Sequence, residues 1–199
     1  MNSARGSEDV NRALIVANTE KSIAYFSQML AAISCENIVC VSSCGAARRT
    51  LLSQDFDLCI INAPLSDETG ENLSRHIGAK GLCQVILAVK SEYCDEVAAH
   101  VEDVGVITVP KPLNKSMLWS SLKLAKAAHN SKQTLLAENA KMRERIEDIR
   151  IVDRAKCMLI AYLGLSEPQA HKYIERHAMD LRVSRRTVAE GILKTYENT

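Results

Sequence analysis

Residues 57–70 read DLCIINAPLSDETG, and the apolar run inside this stretch, Leu58–Ile61, decides the fold class of the larger part of the chain. It is one of five such runs between Arg12 and about Ala128, the others being Ala13–Ala17, Ile38–Val41, Gln84–Val89 and Val106–Val109. Helical stretches separate them. Strands of a parallel sheet are buried on both faces by crossover helices, so they read as continuous apolar runs.

Five strands alternating with five helices predict an α/β domain over residues 10–122, a flavodoxin-like doubly wound five-stranded parallel sheet. In that fold the functional crevice lies at the carboxyl ends of the strands. Any site in this part of the chain is expected there.

Downstream, from Ser116 to about Leu163, there is neither proline nor glycine, which predicts that the last helix of the domain runs on as one long helix. Its pattern is heptad-like. Leu135, Met142 and Ile149 take d positions and Asn139 and Ile146 take a positions, with Leu118 and Ala125 continuing the a series upstream and Lys132 and Asp153 interrupting it. This predicts a coiled-coil-like linker over residues 123–152 and a parallel homodimer with Asn139 fixing register. The plain alternative is that the stripe packs on its own domain.

The remaining segment, Ala155–Leu193, reads AKCMLIAYLGLSEPQAHKYIERHAMDLRVSRRTVAEGIL. Ser166, Glu167, Pro168 and Gln169 form an S-x-x-Q capping box with proline in the first turn, so a helix begins there. Ala170, Tyr173, Ile174, His177 and Ala178 supply its inward stripe. Ser184 caps a further helix whose Val188, Ala189 and Ile192 face inward. Arg185 and Arg186 stand at its start, where backbone N–H groups also favour an anion. The expectation is an all-α three-helix module over residues 153–197.

With 47% hydrophobic and 25% charged residues in 199, the chain is globular, of one large or two small domains. Its net charge of +1 conceals an asymmetry: residues 1–115 carry 10 Lys+Arg against 14 Asp+Glu, net −4, and residues 116–199 carry 15 against 10, net +5. A basic C-terminal part fits a polyanionic partner, although a solvated helical surface reads the same way. The seven cysteines form no CxxC pair and are read as reduced thiols. Cys35, Cys40 and Cys44 are close enough to raise a metal site, but no matching pair completes it, so no metal is expected. Neither a signal peptide nor a long apolar span occurs, which leads to a cytoplasmic expectation with no membrane partner. No nucleophile–base pair, acidic dyad, phosphate-binding glycine loop or metal set is visible, so neither an enzyme nor a cofactor is expected.

Two resemblances sharpen these expectations. Through Ala155-Lys156 with Leu159, Gly164-Leu165-Ser166-Glu167, Ala170 with Tyr173-Ile174, Ala178-Met179, and Val188-Ala189 with Ile192, the C-terminal segment resembles the ANTAR family. Cys157 departs from the glycine that family often has. The resemblance implies an RNA-binding antiterminator module that binds stem-loops in the nascent transcript and prevents terminator formation. Residues 12–128 resemble a response-regulator receiver domain, most clearly in Asp57–Gly70 and in VPKPL, Val109–Leu113. Receiver chemistry needs an aspartate after the third strand, an acidic pair after the first, a hydroxyl after the fourth and a lysine after the fifth. Matched by motif, this chain has Asn62, then Ala17 and Asn18, then Ala88, and retains only Lys111. An amide cannot form an acyl phosphate, and a site without carboxylates lacks the charge a hard cation requires. Taken singly, Asn62 is an ordinary strand-end residue and Lys111 a surface lysine. Together the changes imply a pseudo-receiver not controlled by aspartyl phosphorylation, with Glu20, Asp67 and Glu68 as stray carboxylates near the rim.

For RNA contacts the expected set is Lys156, Lys172, Arg176, Arg182, Arg185 and Arg186, led by Arg185 and Arg186, with His171 and Tyr173 as stacking candidates. The place of Tyr173 on the apolar stripe favours a core role over stacking, and His177 reads as a satisfied interior or edge residue. The segment Val183–Val188, VSRRTV, also looks like the turn and recognition-helix start of a DNA reader, though Arg182 stands where such turns usually have glycine. A sensor protein bound to the pseudo-receiver face is a further expected partner.

Overall fold

The computed structural model describes residues 10–196 of the chain. The chain divides into two compact units between Thr134 and Leu135. In the first, strands β1 (Arg12–Val16), β2 (Asn37–Val41), β3 (Leu58–Asn62), β4 (Gln84–Lys90) and β5 (Val106–Lys111) form one parallel sheet in the order β2-β1-β3-β4-β5. Helices α1 (Glu20–Ala31), α2 (Cys44–Ser53), α3 (Glu71–Ala79) and α4 (Cys94–Val101) connect them, and α5 (Lys115–Leu163) follows β5. This is the expected flavodoxin-like doubly wound sheet.

Both sheet faces are covered. Phe26, Met29 and Leu30 of α1 and Leu118, Leu122 and Ala125 of α5 pack with Ala13, Ile15, Ile60 and Ile86 on one side. On the other, Cys44 and Ala47 of α2, Leu73 and Ile77 of α3 and Val101 of α4 pack with Leu14, Ile61 and Leu87. Every residue of β3 is buried, whereas β2 at the edge is only half covered. That difference explains why β3 reads as an unbroken apolar run while Cys40 of β2 is exposed. Gly70 enters α3 at φ 88°, and a Cβ there would stand 2.9 Å from Ile61 Cγ2, so the turn after β3 requires glycine.

The helix over 115–163 agrees with the predicted proline-free stretch, but its first part belongs to the sheet. Leu118 and Ala125 are fully buried in the first unit's core, so they do not extend the heptad seam upstream. Further along, the buried His129 places Nε2 3.6 Å from Asp57 Oδ1. Asp57 Oδ2 in turn accepts the backbone N–H groups of Asn11 at 2.9 Å and Arg12 at 3.0 Å. Lys132 then donates to the carbonyl of Gly81. The expected boundary at 122 therefore falls inside helix that is packed on the sheet, and the helix leaves the first unit only after Thr134.

In the second unit, Ala155 and Leu159 of α5 pack with Ala170 and Ile174 of α6 (Glu167–Leu181) and Ala189 and Leu193 of α7 (Arg185–Tyr196). Gly164 at φ 64° ends α5. Gln169 Oε1 closes the N-terminus of α6 by accepting the Ser166 N–H at 2.8 Å and its hydroxyl at 3.0 Å. Ser184 Oγ accepts the Thr187 N–H at 3.1 Å and caps α7 as the sequence predicts. The expected end of the module at 197 lies outside the described residues.

Candidate functional site

The carboxyl ends of β1, β3, β4 and β5 converge through strand register: Val16 is level with Ile61, Asn62 with Ala88 and Ala88 with Val109. This brings together the matched receiver positions. Ala17 and Ala88 are fully buried, Asn62 is 8% exposed and Asn18 is exposed. No carboxylate stands at any of them.

Uncharged groups satisfy one another there instead. Asn62 Nδ2 donates to Ser22 Oγ at 3.0 Å, and Ser22 Oγ lies 2.7 Å from Thr19 Oγ1, itself the N-cap of α1. Lys111 Nζ donates to the carbonyl of Ala63, and burial without a facing anion lowers its pKa. Sequence reasoning named Asn62 and Lys111 but missed Thr19 and Ser22. The only signal for them is the T-x-x-S spacing of a helix cap, which does not say that the capped turn faces β3.

The stray carboxylates near this rim are also engaged. Asp67 accepts the backbone N–H groups of Cys44 at 3.0 Å and Gly45 at 2.9 Å, which holds its pKa below the usual carboxylate range. Glu68 makes a two-pronged pair with Arg48, which likewise lowers its pKa. Cys44, Asp67 and Glu68 bring ligand atoms within 4.8 Å of one another. Burial and the adjacent carboxylates push the Cys44 thiol up to about 11, so in the metal-free protein it is protonated at neutral pH. Glu20 stands in the first turn of α1.

In the second unit the six expected RNA contacts separate into two groups. Lys156, with a side chain only 16% exposed, pairs with Asp153 at 2.8 Å and Glu167 at 2.9 Å, and these carboxylates raise its pKa. Arg186 pairs with Asp148 at 2.9 Å and Glu190 at 2.8 Å, Arg185 with Glu175 at 3.2 Å, and Arg176 loosely with Asp180 at 3.9 Å. Lys172 and Arg182 are exposed and make no ion pair among the described residues. Of the stacking candidates, Tyr173 packs against the module core and stacks on His177, their rings 4.0 Å apart. His171 lies 3.3 Å from Glu175. Tyr173 is thus partly buried within the module. Cys157 is exposed.

Along α5, the expected seam is open to solvent in the single chain. Leu135, Met142, Ile146 and Ile149 are 51–62% exposed, and Asn139 between them is exposed as well. Among the described residues, no helix is long and apolar enough to cross a membrane.

With this geometry established, similarity to known proteins becomes informative. Residues 140–193 match the ANTAR domain. The chain is 31% identical over 140 residues to the transcriptional regulatory protein PdtaR of Mycobacterium tuberculosis, a match covering 70% of this chain and 68% of that protein. The sheet-containing part is similar to the signal receiver domain of an HD domain-containing protein from Pseudomonas fluorescens, at TM-score 0.56 and 20% identity over 67% of this chain and 98% of that one. A CheY-like receiver domain from Methanospirillum hungatei aligns at TM-score 0.53 and 17% identity, over 62% of this chain and 99% of that one. At such identities these structures speak to the fold.

Proposed function

Because the chain belongs to the ANTAR-domain response regulators, a family of transcription regulators, we propose that it acts as an antiterminator that binds RNA stem-loops through residues 135–196. The observation that carries this reading is the compact module built on the core of Ala155, Leu159, Ala170, Ile174, Ala189 and Leu193, with Lys172 and Arg182 exposed on it as cations without carboxylate partners among the described residues. Such cations contribute affinity for phosphate without competition from the protein's own anions. The exposed seam from Leu135 to Ile149 supports a parallel homodimer that presents two modules to one RNA, where the second contact gains from effective concentration.

The receiver-like unit serves in this proposal as a domain that is not switched by aspartyl phosphorylation. Asn62 stands where the acyl phosphate would form, and its amide is spent on Ser22. Input then comes from a partner such as a sensor protein rather than from phosphoryl transfer.

The DNA-reading alternative keeps one supporting observation. Arg182 adopts φ 53°, ψ 41°, the left-handed turn conformation for which glycine is ordinarily used, so its residue type no longer argues against a helix-turn-helix. Gel shifts of the full chain with hairpin RNA and with duplex DNA across a salt series decide the matter. Tighter binding to hairpins throughout is the expected result, and a preference for duplex DNA overturns the proposal.

A further inference from the structure

The turn between α6 and α7 exposes more apolar surface than a solvated connection requires. Met179, Leu181 and Val183 are 71%, 65% and 40% exposed, three apolar residues within five positions, and none belongs to the module core. They alternate with charged neighbours, Asp180 and Arg182, and Arg185 follows. A cleft of about 390 Å³ opens beside them, lined by Glu175, Ala178, Met179, Val183 and Arg185. Ala178, Met179 and Val183 give it apolar walls, and its polar end is Glu175, whose Oε1 accepts from Arg185 Nη1 at 3.2 Å and lies 3.3 Å from His171 Nε2. The surrounding backbone is held in place. The Val183 N–H donates to the Ala178 carbonyl at 3.0 Å and the Arg182 N–H to that of Met179 at 3.2 Å, closing the end of α6 around the left-handed Arg182.

We infer that this cleft receives one unpaired base of the bound RNA, an assignment that rests on the RNA-binding reading above. A nucleobase has flat apolar faces and an edge carrying both donors and acceptors. Met179 and Val183 meet the faces. Glu175 accepts a base N–H or amino hydrogen, and Arg185 donates to a ring nitrogen or carbonyl oxygen. Arg182, without a carboxylate partner, is adjacent to take the flanking phosphate. An apolar protein segment fits less well, because it would cover the Glu175–Arg185 pair without offering hydrogen bonds to replace water. A paired base has its faces stacked and its Watson–Crick edge used within the stem, so the occupant comes from a loop or bulge.

The test uses the full chain and a hairpin pool with one fixed stem and a randomised loop. Selected hairpins are remade with each loop nucleotide in turn replaced by an abasic one, and binding is measured for wild type, Met179→Gln, Val183→Ala and Glu175→Gln. One loop position is expected to lose about 10-fold to 100-fold in affinity when abasic, in line with a single stacked and hydrogen-bonded base. In each variant that position loses most of its effect while the others keep theirs, and the salt slope of binding is unchanged because no phosphate contact is removed. The cleft assignment is overturned if the variants bind like wild type, if all loop positions respond alike, or if the variants change oligomeric mass instead of RNA affinity. Should wild type select no hairpin, the RNA reading itself fails and the cleft falls with it. Thermal melts of the variants matching wild type confirm that these exposed positions do not support folding.

Discussion

Arg186 on α7 donates to Asp148 on α5 at 2.9 Å, tying the two helices together through residues 38 positions apart in sequence. The same guanidinium donates through Nε to Glu190 at 2.8 Å, one turn along its own helix. An arginine that reads as a phosphate ligand in the sequence is thus a brace within the module. Its Nε and Nη1 are engaged by these two carboxylates.

This division among the basic residues is measurable as a salt slope. Lys172→Gln and Arg182→Gln are each expected to reduce the slope of log affinity against log salt by about 0.7 to 0.9, the value of one phosphate contact. Arg186→Gln should leave the slope near wild type and lower the melting temperature of the chain. Filter binding across a salt series checks this, and an equal flattening by Arg186→Gln would show that the brace opens for RNA.

Incubation with acetyl phosphate and Mg²⁺ should leave the intact mass of the wild-type protein unchanged. Asn62→Asp alone should also remain unmodified, because Ala17 and Asn18 still provide no carboxylate to hold the cation that phosphoryl transfer needs. A phosphoryl adduct on wild type would remove the argument for a pseudo-receiver.

Lys111 is partly buried, with its ammonium on the Ala63 carbonyl. Burial lowers its pKa below the ordinary 10.5, so the native state binds this proton less tightly than the unfolded chain does. Below both pKa values the penalty of the buried charge is present in full, and it fades as pH rises from the lowered native value toward 10.5. Lys111→Met is expected to melt higher than wild type at neutral pH, with the difference shrinking in alkaline buffer. Circular dichroism melts at both pH values provide the comparison; a lower melting temperature at neutral pH would mean that the bond to the Ala63 carbonyl outweighs desolvation.

Asp57 joins β1 to the long helix, accepting two backbone N–H groups and facing His129. Asp57→Ala leaves those donors and the buried imidazole without a partner, at an expected cost of about 1–3 kcal/mol. Urea unfolding monitored at Trp119 reads the loss in the first unit. A midpoint equal to wild type would show that water replaces the carboxylate without cost.

Asn139 is expected to set the state of the seam. Asn139→Leu replaces a polar a-position residue by one that no longer restricts partner number, so light scattering should report a mass different from wild type. An unchanged monomer for both proteins removes the coiled coil and, with it, the paired presentation of two modules.

Much of the architecture is legible in the residues themselves. Apolar runs such as Leu58–Ile61 announce strands buried on both faces, and Ser166 with Gln169, or Ser184, announce helix starts because caps act within one turn of chain. The uncharged residues Ala17, Asn18 and Asn62 at the matched positions are equally visible, since residue type is read directly. Partnership across sequence is another matter. Whether Leu118 belongs to a heptad or to a core depends on what faces it, and the repeat continues through Leu118 and Ala125 although the sheet claims both. Likewise, residue type does not separate Arg186 from Arg182: one meets Asp148 and Glu190, while the other makes no ion pair among the described residues. The sequence alone determined the elements, the family pattern and the residue types at the matched receiver positions, because these are local or compositional. Only the tertiary structure decided which cations are neutralised, how Thr19 and Ser22 fill the degenerate site and which apolar residues remain uncovered, because each depends on groups brought together through space.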